Sequence, residues 1–453
     1  MMTSRPLCLR LAALAPSCVI ALLAACSDSE AGAHSSSQAG SDAPAIASEQ
    51  DEQAPRAEVA SATQDPETAS EDRWSGLQDA SASPAHLELL DLVFDSALGM
   101  PTNPFIKTRS KLQLEVVNAC LELGLYARAQ GYIDTIENWR RGEGYANLAF
   151  ALAEAGQGHL VEPYLEQAIE VSDWGEEILR QAWRRDRIRA AVARTLLVLG
   201  RIEEAYEIQS NLVDEESGRI APLTARLAEP EHFDQQFEQF HSVAELGSFE
   251  QIKSALEGLV VLYGRNYEDE ERRSAVRDSV QWHRGRIPAA IHIDLLLSMS
   301  QAASDHGDSA TAQELVDEAC AVVDEAVWTA EHHVPMLAKI ASQRFLAGDE
   351  VRARAEATAA LAIFDAGREE VVDMFRSESL LPLAEAWQGM GEGTSARAVY
   401  ARCLTEAGIN VNSRPRLEDL IGIVCSIVTR GVEVDEPLKQ RIESLNDALS
   451  EAW

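Results

Sequence analysis

Residues 142–175 read GEGYANLAFALAEAGQGHLVEPYLEQAIEVSDWG. Tyr145, Leu148 and Ala149 recur at intervals of three and four, the period that sets apolar side chains on one face of a helix. Gly156 breaks the run, and a second helical run carrying Ala168 follows. Small side chains such as Ala149 and Ala168 let two helix backbones approach, as an antiparallel pair demands. Glycine between the runs ends the first helix in the left-handed conformation that side chains resist. A pair of this size buries its apolar face only by stacking on others, so the stretch predicts an array.

The same chemistry recurs around Gly124, Gly156, Gly200, Gly264, Gly307, Gly348, Gly391 and Gly431. Eight residues before each glycine stands an apolar residue, among them Val116, Leu148, Val192, Leu256, Met299 and Ile340. Five after it comes Ala129, Ala205, Ala312, Ala353 or Ala396, and twelve after it Ala168, Ala319, Ala360 or Cys403. No run of alternating β-branched residues interrupts the pattern, so an all-α fold is expected. The interval from Gly200 to Gly264 is too long for one unit and contains Pro222, Pro230 and Gly247. An irregular or extra helical pair is expected there, around residues 217–247.

This pattern resembles the tetratricopeptide repeat, whose consensus places a large apolar residue at position 4, Leu at 7, a small residue at 8 and Ala at 20 and 27. Tyr145, Leu148, Ala149, Gly156 and Ala168 fall in that register. Val161 stands where the consensus has Ala at position 20, and Asp173 where it has Pro at 32. The later units resemble a longer variant of about 42 residues, and the resemblance covers most of residues 108–450. It implies a right-handed superhelical solenoid of antiparallel helix pairs over residues 86–453, with a concave groove along its first helices. The last pair, ending at Trp453, is expected to cap the array, with Lys439, Arg441 and Glu443 facing water.

Ahead of the array the composition changes twice. Arg5 and Arg10 precede Leu11 to Ala25, fifteen residues without a charge, too short for the roughly 20 apolar residues of a bilayer span. The end of this run, Leu23-Ala24-Ala25-Cys26, resembles the lipobox of bacterial lipoproteins. The resemblance implies a signal peptide over residues 1–25, lipidation of Cys26, and a place on a membrane of the cell envelope, facing the periplasm or exterior. Residues 26–85 are rich in Ser, Ala, Gln and acids with few large apolar side chains, the composition of a disordered tether. The remaining thiols, Cys120, Cys320, Cys403 and Cys425, sit far apart in apolar helical contexts and are expected as buried free cysteines, although Cys403 and Cys425 could lie on neighbouring helices.

The chain of 453 residues carries 74 Asp and Glu against 39 Lys and Arg, a formal net charge of −35. Such a surface repels phosphate backbones, so no nucleic-acid partner is expected. No phosphate loop, metal-ligand spacing or nucleophile elbow is found, so no cofactor, no metal and no catalytic residue are assigned. One local feature breaks the acidic trend: Arg180, Arg184, Arg185, Arg187, Arg189 and Arg194 crowd fifteen residues with one acid, Asp186. Two readings stand, ion pairing to acidic neighbouring helices or a cationic spot for an acidic peptide or carboxylate. In the resembling family, positions 2, 5, 6 and 9 of the first helix line the groove. That implies groove roles for Asn118, Asn147, Arg187 and Arg194, while Leu114 and Ala191 stand where a two-carboxylate clamp would need Lys and Arg. The expected function is a membrane-anchored, non-enzymatic scaffold that binds a partner protein or peptide in the groove. The alternative is a helical-array enzyme or binding protein acting on polysaccharide or peptidoglycan.

Overall fold

The computed structural model describes residues 76–174, 181–450 and 453, and among them the regular structure is helical, without a β-strand. A compact unit spans Gly76–Trp453. The signal peptide, Cys26 and most of the expected tether lie outside the described residues. The boundary expected at residue 85 falls inside the unit. Asp79 accepts from the backbone N–H groups of Ala127 and Arg128 at 2.7 and 3.3 Å, and Ala80 N donates to Gly124 O at 3.0 Å.

The first helices are α1 (Pro84–Gly99), α2 (Thr102–Glu122), α3 (Tyr126–Asp134), α4 (Arg140–Glu154), α5 (Glu162–Ser172), α6 (Ala182–Val198) and α7 (Ile202–Gln209). The long interval holds α8 (Asp214–Gly218), α9 (Ala221–Leu227) and α10 (Phe233–Leu246), three helices where an irregular or extra pair was expected. Regular pairs then resume with α11 (Phe249–Arg265), α12 (Glu270–Trp282), α13 (Ala289–Asp305), α14 (Ser309–Glu325), α15 (Ala330–Leu346) and α16 (Glu350–Gly367). The chain ends with α17 (Asp373–Gly389), α18 (Gly393–Ala407), α19 (Ser413–Thr429) and α20 (Glu436–Asp447).

The turns explain why the pairs repeat. At Gly124, Gly156, Gly200, Gly307, Gly348, Gly391 and Gly431 the backbone φ lies between 62° and 93°. At each of them the residue after the glycine donates its N–H five residues back: Leu125 to Cys120 at 2.8 Å, Gln157 to Leu152 at 2.8 Å, Glu392 to Trp387 at 2.9 Å. This bond, with one from the glycine N–H, satisfies carbonyls that the helix end leaves open. Gly264 differs from the sequence expectation. It lies inside the last turn of α11, where an added Cβ would come within 3.3 Å of the Ala302 Cβ, so its small size serves helix approach.

Each inner helix packs on the next, in the order α2, α4, α6, α9, α11, α13, α15, α17, α19. The alanines marked in the sequence lie on both helices of the pairs and are enclosed there, with Ala149, Ala312, Ala353, Ala360 and Ala396 all at 0% exposure. The expected free terminal cap is not what closes the array. Instead α19 packs on α1 and α2, and the series of inner helices returns to its start. Three hydrogen bonds tie the ends: His86 Nε2 with Val432 O at 2.9 Å, Lys439 Nζ to Glu88 Oε2 at 3.0 Å, and Ser96 Oγ to Asn446 Oδ1. Lys439, expected to face water, does so while pairing across the seam.

Since successive helices alternate in direction, the turns fall on two opposite rims. On one rim neighbouring glycine turns touch, as where Tyr267 Oη donates to Asp308 Oδ2 at 2.9 Å and Gln388 Nε2 to Arg430 O at 3.3 Å. On the other rim the loops between pairs touch, as where Arg286 donates to Ala244 O and Glu245 O at 3.1 and 2.6 Å. Cys120, Cys403 and Cys425 are buried and Cys320 is half-buried; all four are free thiols, so Cys403 and Cys425 do not pair.

Candidate binding surface on the inner helices

The register that aligns the glycine turns also aligns side chains on successive inner helices. Asn147 Nδ2 of α4 donates to Asn118 Oδ1 of α2 at 3.1 Å. One helical turn further along α4, the Phe150 ring receives the Arg194 guanidinium from α6, 4.4 Å from its centroid. Asn118, Asn147, Phe150 and Arg194 therefore form one stripe across three helices. Asn118 is exposed and the other three are half-buried.

Arg194 stands apart from the other arginines of its cluster. Its recorded partner is the Phe150 ring, and among the described residues it makes no ion pair. Burial pulls the guanidinium down to about 10, and the nearby charges of Arg226 and Arg219 pull the same way. Glu154 opposes them, but its two carboxylate oxygens are already held by Arg226 at 2.7 and 2.9 Å. A guanidinium enclosed beside two like charges and lacking its own acid favours an incoming carboxylate or other oxyanion.

Arg185, Arg187 and Arg189 follow the ion-pairing reading. Arg187, expected in the groove, is a correction: its Nε reaches Glu216 Oε1 at 3.3 Å, and its guanidinium lies 5.2 Å from the Trp183 ring centroid. Burial raises the Glu216 carboxyl, against the pull of Arg219 and Arg187. Arg185 pairs with Asp186 at 2.8 Å and Arg189 with Asp173 at 2.9 Å. Arg184 is buried against Trp139 and Trp183, whose rings meet edge to face at 5.3 Å. Those tryptophans join the starts of α4 and α6, as inter-pair packing would. Arg180 lies outside the described residues. Phe150 went unassigned in the sequence reading, although it occupies the same position in its unit as Asn118 and Arg194 in theirs.

A second group sits near the seam. Asp419 of α19 is pushed up to about 8, by burial first and then by Glu378 and Glu418. Its Oδ2 has no hydrogen-bond partner among the described residues. Glu418 is also raised by burial, while Arg414 and Lys111 pull it down. At the C-terminal end of α19, Arg430 Nη2 reaches Glu385 Oε2 at 3.2 Å and Ser426 Oγ donates to Glu385 Oε1 at 2.7 Å. No group of three His, Cys, Asp or Glu that could hold a metal ion occurs among the described residues. No helix among them is long and apolar enough to cross a membrane. Compared with known protein families and curated proteins, the chain matches no family model and no curated sequence.

Proposed function

We propose that the protein is a non-enzymatic scaffold of tetratricopeptide-like helix pairs, held to an envelope membrane through Cys26, that captures a partner protein or peptide on its inner helices. The observation that carries the reading is Arg194, stacked on Phe150, without an ion pair among the described residues and in line with Asn118 and Asn147. Side-chain amides grip extended backbone, and the guanidinium takes an acidic side chain or chain end. A disordered tether after a lipid anchor would give such a ring reach while keeping it at the membrane.

Crosslinking and pull-down from intact cells supply the partner. Arg194→Glu is expected to reduce capture at least tenfold while circular dichroism and melting stay near wild type, since Arg194 surrenders no ion pair. Capture also weakens with rising salt, because attraction between exposed charges is screened within about 8 Å at physiological ionic strength. Intact capture by Arg194→Glu excludes the stripe. The anchor is read separately: Cys26→Ser is expected to move the protein into the soluble fraction after washing by dilution. Retention of the Ser variant excludes lipidation as the anchor.

A further inference from the structure

We propose that the cleft between α12, α13 and α14 binds a small uncharged ring compound whose hydroxyl or carbonyl oxygen accepts a hydrogen bond from His292. The cleft arises where the repeat packs differently. In later pairs each outer helix packs on the next inner helix, as α14 does on α15, α16 on α17 and α18 on α19. By contrast, α12 packs on α11 and stands off α13. It buries only Val276, Ser279 and Val280, and its long polar side chains Arg277, Gln281 and Arg284 line the gap. A cavity of about 320 Å³ remains, within the roughly 300–1,000 Å³ of small-molecule sites.

His292, near the start of α13, lines this cavity at 1% exposure. Its ring makes no hydrogen bond among the described residues, and Nδ1 is sealed from water. Burial holds the ring neutral by pulling it down to about 4, and the charge of Arg284 acts the same way. A proton on the sealed Nδ1 would meet no acceptor, which places it on Nε2, the ring nitrogen left open to the cavity. A buried N–H without a partner is costly, so the cavity calls for an oxygen that accepts from it.

The walls select the rest of the ligand. Leu296 and Met299 of α13 and Val322 of α14, all buried, give the cavity an apolar lining. A flat ring covers such a surface well, and a thioether such as that of Met299 makes favourable contact with one. Ion pairs cross the mouth from α12 to α14. Arg277 meets Glu314 at 2.8 Å and also Glu318, and Arg284, two turns further along α12, meets Glu325. Both guanidiniums are thus held, and the mouth sets Asp278, Glu314, Glu318 and Glu325 against Arg277 and Arg284. That excess of acids turns an anion away. A cation would meet the Arg284 charge that already acts on His292, and an ammonium has no lone pair to accept from Nε2. An uncharged oxygen satisfies both conditions.

The test uses the chain from Ser27 to Trp453, which contains the whole compact unit. Phenol and cyclohexanone are titrated calorimetrically, alongside toluene, which lacks the oxygen, and benzoate and benzylamine, which carry a charge. Saturable binding of phenol and cyclohexanone is expected at millimolar concentrations or below, at least tenfold tighter than that of toluene or of either charged probe. Phenol should also shift the ring nitrogen resonances of His292, identified by their absence in His292→Phe. That variant keeps a ring but loses the donor, so its affinity for phenol should fall to that for toluene while the fold stays as stable. Ala321→Trp, which fills the cavity from an exposed position on α14, should abolish binding of every probe with unchanged helical content. Absence of binding by both phenol and cyclohexanone overturns the inference, as does toluene binding equally well or a charged probe binding more tightly. Phenol binding that survives Ala321→Trp, or that His292→Phe leaves at the parent affinity, overturns it as well. The scaffold reading rests on Arg194, which lies outside this cavity, so it stands or falls separately.

Discussion

Single side chains decide which charges this protein leaves available. Within one arginine-rich helix, Arg187 is held by Glu216 while Arg194, among the described residues, has the Phe150 face and no ion pair. The difference comes from the neighbouring elements: α8 brings Glu216 to one, and α4 brings a ring to the other. Asp419 shows the same dependence in reverse. Its carboxyl is pushed up to about 8, whereas an unfolded chain holds it near 3.8. The folded protein thus keeps a proton that the unfolded chain releases, so this group's stabilising contribution is present below pH 4 and is lost as pH rises towards 8. Asp419→Asn is expected to flatten the fall in stability between pH 5 and 8, by an amount on the order of 1 kcal/mol or more. Urea midpoints at the two pH values check it, and parallel curves for variant and parent reject it.

At the level of helices, the array depends on small residues where backbones approach. Ala353 is fully buried at the start of α16, which packs along α15. Ala353→Leu adds three carbons to a filled contact and should cost roughly 1–3 kcal/mol, seen as a lower thermal midpoint. An unchanged melt would remove the register that sets Ala353 beside its equivalents Ala312 and Ala396. Gly142 obeys the same geometry, because a Cβ there would stand 2.8 Å from Ile188 Cδ1 and 2.9 Å from Val171 Cβ. The alanines were legible because they recur at fixed distances from turn glycines, whereas Gly142 was not. The helices of residues 214–246 were legible only as a break in that rule, since prolines and a missing turn glycine mark irregularity without saying how it packs.

Across the whole molecule, the ends of the chain share one core. Leu90 and Val93 of α1 are fully buried, as are Leu417, Leu420 and Ile421 of α19, and α1 packs on both α2 and α19. Opening this seam exposes apolar surface on two sides at once. A chain starting at Thr102 should therefore melt at lower temperature and in more than one step, where the full chain melts in one. Calorimetric and van't Hoff enthalpies compared for the two chains check this, and a single unshifted transition in the shortened chain counts against the closed ring.

By itself the amino-acid sequence determined the all-helical class, the pairing of helices, their turns and most of the alanines at their contacts. All of these rest on short-range rules: the helical period, the left-handed glycine and the small residue opposite a neighbouring backbone. Its repeat register also pointed to Asn118, Asn147, Arg187 and Arg194 together, and of these Asn118 and Asn147 touch while Arg187 is held by Glu216. Only the tertiary structure decided that the array closes on itself. Closure depends on small rotations at every helix-pair interface adding up to a full turn, and each rotation is a sum over many side-chain contacts that no single residue spells out. For the same reason it alone separated Arg194 from Arg187, since a charge is spent or free according to what distant helices bring beside it.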